Sequence, residues 1–376
     1  MDFDLDDDQK ALSELAARIL SDRATAARIG VVETEAAAGG DGVDHNLWSD
    51  LAAAGLVAAP LSERAGGAGM GLIGACVVLE EVGRRVAPVP YLETVLSALA
   101  LERFGGDAEQ GRLAGIAAGS FVIAPALIEA QGDPRRPSTT AARSGEASWR
   151  LDGEKICVSA GLAADAYLVP AGFPDASTGV VLIDADAAGL SRKRQDTTFG
   201  RPEAMLVLSG VEVGDEAVLG SGTSEQAQVL DWLVDRATAA LSVTAAGCLD
   251  EALRITAAYV KERKQFDRVI ASFQAVGQRA ADAFIDTLGV RLTAWQAVWR
   301  LASGLPATDE VTIAKYWASE AGQRVVHTCQ HLHGGVGMDR EYPVHRYFLV
   351  AKQLDLALGG AATQLAQLGK AMAASA

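Results

Sequence analysis

Residues suited to holding a phosphate occur in two segments of the second half of the chain. Arg263, within the Glu-Arg-Lys-Gln-Phe segment 262–266, ends a long helical pattern, and its guanidinium offers a rigid fork of donors that suits pyrophosphate oxygens. Gly334, Gly335 and Gly337 lack the Cβ that would keep a phosphate away from the backbone amides. On their own, the charged segment is more typical of a solvated helix end, and the glycines could equally form a tight turn between helices.

Together the two segments resemble the C-terminal helical domain of the acyl-CoA dehydrogenases, in which they hold the adenine and pyrophosphate end of FAD. The resemblance includes Gln274, eight residues after Phe266. It implies that Arg263 reaches a FAD bound mainly by a neighbouring subunit, that Phe266 packs near the adenine or ribose, and that Gln274 hydrogen-bonds at the same end. His331 stands where the family usually has glutamine, and its ring can still donate a hydrogen bond to ribose or adenine.

The middle of the chain departs from the family at the flavin end. Residues 152–161 resemble a hairpin in which a tryptophan packs on the flavin and a Thr or Ser hydroxyl reaches its ring system. The tryptophan position reads Cys157 here, and the hydroxyl position is kept as Ser159. Residues 121–129 match a family loop that reads like Thr-Glu-Pro-Gly-Ala-Gly-Ser-Asp, without its glycine and serine residues. The cofactor-binding residues implied by the resemblance are Arg263, Phe266, Gln274, His331, Gly334, Gly335 and Ser159.

The base of the family's reaction is missing from its expected positions. The family desaturates an acyl thioester: a carboxylate takes the α-proton while the β-hydrogen leaves as hydride to the flavin, so the base must lie within reach of the α-carbon. The usual glutamate position reads Gly359, and the position used by other members reads Ala237; neither residue can accept a proton. Asp235 is the nearest displaced acid, although its place beside Arg236 is more typical of a surface residue.

Three explanations are open. In the first, the chain is one subunit of a hetero-oligomer whose partner carries the carboxylate, since some bacterial acyl-CoA dehydrogenases that act on bulky acyl chains, including steroid side chains, are mixed tetramers. In the second, Asp235 or the less well placed Asp355 acts as the base. In the third, the fold is catalytically silent or repurposed, and it binds flavin or acyl-CoA or scaffolds a partner.

The first explanation agrees with most of these residues. It predicts an FAD-dependent acyl-CoA dehydrogenase, or a subunit of one, that acts in fatty acid or steroid catabolism. The expected partners are an acyl-CoA substrate, an electron-transfer acceptor and further subunits, in a homo- or hetero-oligomer that is a dimer or an α2β2 tetramer. The residues do not fix the acyl chain, the electron acceptor or whether the chain is active alone.

The elements that must position these residues change in character along the chain. Residues 1–118 predict an N-terminal helical domain, residues 119–222 a central small β-barrel or sandwich, and residues 223–376 a C-terminal four-helix bundle, which together make an α+β fold. Asp152-Gly153 between two alternating segments predicts a hairpin turn, and residues 345–371 predict one last helix. This order also resembles the acyl-CoA dehydrogenases over the whole chain.

Composition narrows the class of protein further. Thirty-three basic and 48 acidic residues give a net charge of −15, which disfavours nucleic acid as a partner. The four scattered cysteines suit reduced thiols, the acidic N-terminus shows no signal peptide, and no apolar run reaches the roughly 18 residues of a membrane span, so we expect a cytoplasmic protein. The histidines near residue 330 lack the accompanying Cys or carboxylate spacing of a metal site, so no metal is expected.

Overall fold

The computed structural model describes residues 4–375. Residues 1–3 and 376, at the ends of the first and last predicted domains, lie outside that range. The chain divides into two compact units: one comprises the residues up to Ala26, Cys76–Ala87 and the chain from Thr238 onward, and the other comprises Ala27–Ala75 and Pro88–Ala237. The three-domain division at residues 118 and 222 stays a prediction.

Helices precede and follow a block of strands, so the predicted α+β class is confirmed. The helices are α1 (Asp7–Arg23), α2 (Ala26–Ala37), α3 (His45–Ala53), α4 (Gly71–Arg85), α5 (Tyr91–Phe104), α6 (Asp107–Gln110), α7 (Leu113–Ala117), α8 (Val229–Glu262), α9 (Gln274–Ala302), α10 (Thr308–His333), α11 (Val344–Leu356) and α12 (Ala361–Ser375). The strands are β1 (Ile123–Pro125), β2 (Thr140–Arg143), β3 (Ser148–Val158), β4 (Ala166–Gly172), β5 (Thr178–Asp184), β6 (Leu190–Gln195), β7 (Glu203–Gly214), β8 (Lys264–Gln265) and β9 (Arg268–Val269).

The central strands β1 to β7 form one sheet in the unit that contains Pro88–Ala237. Its hydrogen-bonded order is β1-β4-β2-β3-β7-β6, and β5 pairs with β4. Strands β4 and β5 are buried along nearly their whole length, whereas β6 is a largely exposed edge. The buried pair therefore forms the hydrophobic centre of the sheet, because its Val, Leu and Ile side chains are removed from water.

The hairpin expected at Asp152-Gly153 is wrong. Strand β3 runs straight through these residues and pairs with β7, with a shift of register between Leu151 and Asp152. Glycine is instead required at position 153 because Thr139 lies close to its backbone. A Cβ at Gly153 would lie 2.6 Å from Thr139 Oγ1 and 2.8 Å from Thr139 Cα. A glycine inside a strand often marks such an approach or a bulge, and here it does both.

Helices α8 to α12 supply most of the other unit. The bundle packs α10 between α9, α11 and α12. The single last helix expected over residues 345–371 is wrong, because α11 ends at Leu356 and α12 begins at Ala361. Leu358 and Gly359 between them have φ of +55° and +91°, which no helix can accommodate.

Helices α4 and α8 approach each other closely in this same unit. A Cβ at Gly83 would lie 2.0 Å from Thr244 O, and a Cβ at Gly247 would lie 1.9 Å from Glu80 O. Both helices therefore require glycine at the crossing, and this contact holds α8 in place before it reaches Arg263. Across residues 4–375, none of the helices combines the length and apolar character that crossing a bilayer requires.

Candidate functional site

Arg263 leads from α8 into a tight two-stranded hairpin. Its N–H donates to Tyr259 O at 2.9 Å, and its carbonyl accepts from Ile270 N at 2.8 Å. The turn between β8 and β9 consists of Phe266 and Asp267, both left-handed with φ of +54° and +62°. A two-residue turn with positive φ at both positions matches the twist of a hairpin, but it normally uses Asn and Gly. A strained aromatic residue at such a turn points to a functional constraint.

The ring of Phe266 projects from this turn and is 84% exposed. Its nearest aromatic neighbour is Phe273, edge-on with ring centroids 6.1 Å apart, and the guanidinium of Arg268 lies 4.0 Å from the Phe273 ring. Gln274 follows as the first residue of α9 and is also exposed. The hairpin therefore presents a flat apolar ring and an amide on the surface of its unit.

The glycine turn begins where α10 ends. Gly334 has φ of +59°, a conformation that only glycine adopts easily. A Cβ added at Gly334 or Gly335 would meet no atom within 4 Å among the described residues, whereas one at Gly337 would lie 3.0 Å from Gln330 O. Packing within the chain therefore explains Gly337 but not the exposed pair, whose backbone stays open to a ligand. The side chain of His331 is also exposed, one turn earlier on α10.

Three aromatic rings hold the hairpin and the glycine turn together. Tyr259 stacks on His333 with ring centroids 4.5 Å apart, and Tyr342 lies 5.1 Å from His333 and 6.2 Å from Tyr259. Tyr259 is one helical turn before Arg263, and His333 directly precedes Gly334. The stack therefore places the end of α8 beside the end of α10. The pattern of residues alone predicts no role for these three rings; aromatic residues flanking both segments were the available signal.

His333 has an unsatisfied ring nitrogen at this junction. The residue is only 3% exposed, and burial lowers the pKa of its imidazole, so the ring is neutral near pH 7. Its Nδ1 lies 2.8 Å from Cys329 O and donates there. Its Nε2 is therefore an acceptor, and it has no hydrogen-bond partner within residues 4–375. A buried acceptor beside an open glycine backbone fits a ligand that carries both hydroxyl donors and phosphate, as the adenosine end of FAD does.

The two expected base positions carry no carboxylate, and the backbone around the first is closed. A Cβ at Gly359 would lie 2.8 Å from Thr363 Cγ2. Gln364 Nε2 donates to Leu358 O at 3.1 Å and to Gly359 O at 3.0 Å, which ties the turn to α12. Nearby, the carboxylate of Asp355 pairs with Lys352 at 2.8 Å.

A fully buried lysine supports the same turn from α10. Lys315 Nζ donates to Leu354 O at 2.8 Å, to Asp355 O at 2.9 Å and to Ser319 Oγ at 3.1 Å. These carbonyls belong to the last turn of α11, so the ammonium satisfies groups that the helix itself leaves unpaired. Burial lowers the pKa of Lys315 to about 8.

Asp235 is engaged by an arginine. Its carboxylate accepts from Arg135 at 2.5 Å, and the same guanidinium reaches Asp231 at 2.7 Å. The other candidate position, Ala237, is buried in the same unit. The carboxylate of Asp235 is therefore engaged in an ion pair within its own unit. Asp235 as a base remains an untested hypothesis.

At the flavin end of the central sheet, the hydroxyl of Ser159 donates to Glu203 Oε1 at 3.1 Å. Glu203 is only 5% exposed. The backbone N–H of Cys157 donates to Gln195 Oε1 at 2.8 Å, and burial together with the charge of Glu203 raises the pKa of its thiol to about 11. Burial, again with Glu203, raises the pKa of Glu93 to about 7. The hydroxyl that the resemblance assigns to the flavin ring is thus already hydrogen-bonded to a buried carboxyl group of this chain.

The loop after β1 is held by another buried ion pair. Glu129 accepts from Ser138 N at 2.6 Å, from Thr139 N at 3.0 Å and from Lys155 Nζ at 2.7 Å. Burial opposes the charge of Glu129, but these donors prevail and lower the pKa of its carboxyl to about 2. A charged anchor therefore stands where the related loop carries glycine and serine. Within the described residues, no cluster of three or more His, Cys, Asp or Glu side chains could hold a metal ion.

Comparison with known proteins gives a consistent result. Residues 6–120 match the family described as acyl-CoA dehydrogenase, N-terminal domain, and residues 228–373 match acyl-CoA dehydrogenase, C-terminal domain. The acyl-CoA dehydrogenase FadE27 of Mycobacterium tuberculosis is 41% identical over 340 residues, 88% of each chain.

Two solved structures are similar over almost the whole chain. One chain of a variant of the Tcur3481-Tcur3483 steroid ACAD is 41% identical, with a TM-score of 0.91 and 98% of both chains covered. One chain of the ChsE4-ChsE5 complex from M. tuberculosis is 38% identical, with a TM-score of 0.92 and 99% of both chains covered.

Proposed function

This chain belongs to the acyl-CoA dehydrogenase family, and we propose that within it the chain is the subunit that lends contacts to FAD while a partner subunit supplies the catalytic carboxylate. The family consists of flavin oxidoreductases that use FAD and act on acyl-CoA thioesters. The proposed assembly is an α2β2 tetramer in the cytoplasm. The proposed substrate is an acyl-CoA with a bulky, steroid-type acyl group, because the similar Tcur3481-Tcur3483 protein is described as a steroid ACAD.

This proposal rests on the junction where the β8–β9 hairpin meets the glycine turn at Gly334 and Gly335. The same chain has no proton acceptor at Gly359 or Ala237, the two positions where the family carries its base. The aromatic stack joins the two segments, yet Phe266 and the glycine pair face outward from their unit. Such a surface is suited to a ligand held mainly by another subunit.

Each of these residues has a defined task in the proposed site. In this family FAD supplies the acceptor for the hydride that leaves the substrate. The guanidinium of Arg263 would neutralise the pyrophosphate, and the amides around Gly334 and Gly335 would approach its oxygens. His333 Nε2 would accept a hydrogen bond from a ribose hydroxyl or the adenine amino group, which would satisfy its buried lone pair.

An exposed apolar stripe on α9 supports association. Phe284, Ile285, Leu288 and Leu292 are 54%, 64%, 43% and 57% exposed, and their spacing places them on one side of the helix. Ile285 also lines an open pocket between α9 and α10 with a volume of about 780 Å³. A contiguous apolar stripe at the edge of a concavity is typical of a protein–protein interface. We assign it to the contact with the partner subunit.

The second candidate function is a catalytically silent fold that binds or scaffolds. Gly359 and Ala237 favour it for the isolated chain, because neither offers a proton acceptor. Acyl-CoA-dependent flavin reduction by the assembled protein separates the two, since a silent fold binds or scaffolds without turning over the substrate.

The test uses this chain alone and co-expressed with an acyl-CoA dehydrogenase paralogue that carries the glutamate. We expect acyl-CoA-dependent flavin reduction only in the co-purified assembly. Arg263→Ala should lower the affinity of that assembly for FAD by about 10- to 100-fold, because one charge-assisted hydrogen bond contributes about 1.5–3 kcal/mol. Lys261→Ala, which removes an exposed charge two residues earlier, is the matched control and should leave the flavin content unchanged.

Two results would overturn the proposal. Full FAD occupancy with acyl-CoA oxidation by this chain alone would eliminate a partner-supplied base. Unchanged flavin content in the assembled Arg263→Ala variant would eliminate the lent contact.

A further inference from the structure

We propose that the apolar stripe of α9 packs antiparallel against the same stripe of a second copy of this chain when the partner subunit is absent. Two small exposed residues, Gly277 and Ala281, continue the stripe towards the start of the helix. The pairing of two copies does not depend on the proposed function. Because the assembled protein uses the same surface, the partner subunit has to displace the second copy, and only this last step rests on the proposed function.

The extended stripe is uncharged along about four turns of α9. Its six members lie on one side of the helix and are all exposed: Gly277, Ala281, Phe284, Ile285, Leu288 and Leu292. The neighbouring charged residues Arg279, Asp282 and Asp286 line the open pocket on the side of α9 that faces α10. Two stripes can therefore meet without burying a charge.

Large and small residues of the stripe complement each other about its own centre. In an antiparallel pair related by a two-fold axis between residues 284 and 285, positions equally distant from the axis face each other. The facing pairs are Gly277 with Leu292, Ala281 with Leu288, and Phe284 with Ile285. Both leucines thus meet a small residue of the second copy, and the knobs of one helix fill the gaps of the other. This self-complementarity identifies a second copy as the occupant.

Packing within the chain does not explain Gly277. A Cβ added there would meet no atom within 4 Å among residues 4–375, although glycine weakens a helix relative to alanine. Gly289 of the same helix differs, because a Cβ there would lie 3.0 Å from the ring of Trp317. A glycine inside a helix usually has a packing reason, and for Gly277 the close approach of Leu292 from the second copy supplies it.

The size of the contact predicts a weak association. Phe284, Ile285, Leu288 and Leu292 are each about half exposed. They offer on the order of 300–400 Å² per copy, taking roughly half of the 150–250 Å² of an aromatic ring and somewhat less for each aliphatic side chain. Two copies would bury roughly 600–800 Å² in this way, which is below the about 1,200 Å² of a standard interface. We therefore expect a dissociation constant in the micromolar range, weak enough for a partner subunit to displace the second copy.

The test introduces charges at facing positions of the isolated chain. Ala281→Lys and Leu288→Glu each place an unpaired charge in the contact, so each should raise the dissociation constant at least about tenfold. The double variant brings the lysine of each copy against the glutamate of the other, so its dissociation constant should return to within about threefold of the wild-type value. Sedimentation velocity over a range of protein concentrations measures these constants. Both positions are exposed, so the fold should be retained, which circular dichroism checks.

Ala275→Lys is the matched control, since it makes the same chemical change on the pocket side of α9 and should leave the dissociation constant unchanged. A wild-type chain that stays monomeric at about 100 µM would overturn the pairing, and so would self-association that Ala281→Lys leaves unchanged. A double variant that associates no better than the single variants would overturn the antiparallel register. Each of these results leaves the partner-supplied base untouched, because acyl-CoA-dependent flavin reduction by the assembled protein tests that separately.

Discussion

Replacing Gly359 tests whether one substitution could restore the missing base. A side chain at φ of +91° is strained by about 1–2 kcal/mol. A Cβ there would lie 2.8 Å from Thr363 Cγ2, and overpacking of this kind typically costs about 1–3 kcal/mol. Gly359→Ala should therefore lower the free energy of unfolding by about 2–5 kcal/mol, and Gly359→Glu by at least as much.

The matched control is a second glycine of the same chain end. Gly369 lies within α12, and a Cβ there would meet no atom within 4 Å among residues 4–375. Gly369→Ala should stabilise the protein by up to about 1 kcal/mol, because it reduces the freedom of the unfolded chain without a packing conflict. The same chemical change should thus have opposite signs at positions 359 and 369.

Urea unfolding followed by circular dichroism measures the stability difference, and acyl-CoA-dependent flavin reduction measures function. Adding Thr363→Ala to Gly359→Ala should recover the free energy of unfolding that was lost to the contact with Thr363. The loss caused by the strained φ of residue 359 should remain. We also expect Gly359→Glu to give no activity in the chain alone. If the glutamate variant proves as stable as the wild type and oxidises acyl-CoA unaided, the account of this closed turn is wrong.

Three further predictions concern buried polar groups. The pKa of Lys315 is lowered to about 8, so between about pH 8 and 10.5 the unfolded chain binds a proton there that the folded chain has released. The free energy of unfolding should therefore rise with pH over this range. Lys315→Met should lose this pH dependence, which urea titrations at several pH values measure. The pKa of Glu129 is lowered to about 2, so its contribution to stability should be complete above about pH 4.5 and be lost as the pH falls towards 2. The free energy of unfolding of Glu129→Gln should therefore depend less steeply on pH in this acid range. An unchanged pH dependence would contradict a stabilising ion pair between Glu129 and Lys155. His333→Phe keeps a ring in the stack but removes the Nε2 acceptor, so FAD affinity of the assembled protein should fall about fivefold with little change in stability. An unchanged affinity would mean that the ligand does not use this nitrogen.

The sequence was sufficient for features that depend on local pattern. The order of helices and strands and the end of α8 at Glu262 follow from helical periodicity and from residues that break it. The hairpin expected at Asp152-Gly153 failed for a tertiary reason, because Thr139 approaches Gly153 too closely for any side chain. A glycine required by a neighbouring strand looks the same in a sequence as one required by a turn.

The site was only partly predictable for the same reason. Arg263 and the glycine pair belong to recognisable segments, but the stack of Tyr259 on His333 joins residues more than seventy positions apart. The bond between Ser159 and Glu203 depends on the register of β3 against β7, which no short-range pattern specifies. Residues 345–371 read as one helix because Leu358 carries no signal of its positive φ.

The turn at Phe266-Asp267 has a consequence for handling the protein. Phe266 resists a left-handed backbone and Asp267 adopts one less easily than glycine, yet both residues are kept there, although Asn-Gly would form the same turn at lower energy. Replacing Phe266-Asp267 with Asn-Gly should give an isolated chain that is more soluble and aggregates less. The same change would remove the exposed aromatic ring that the resemblance places near the adenine or ribose of FAD.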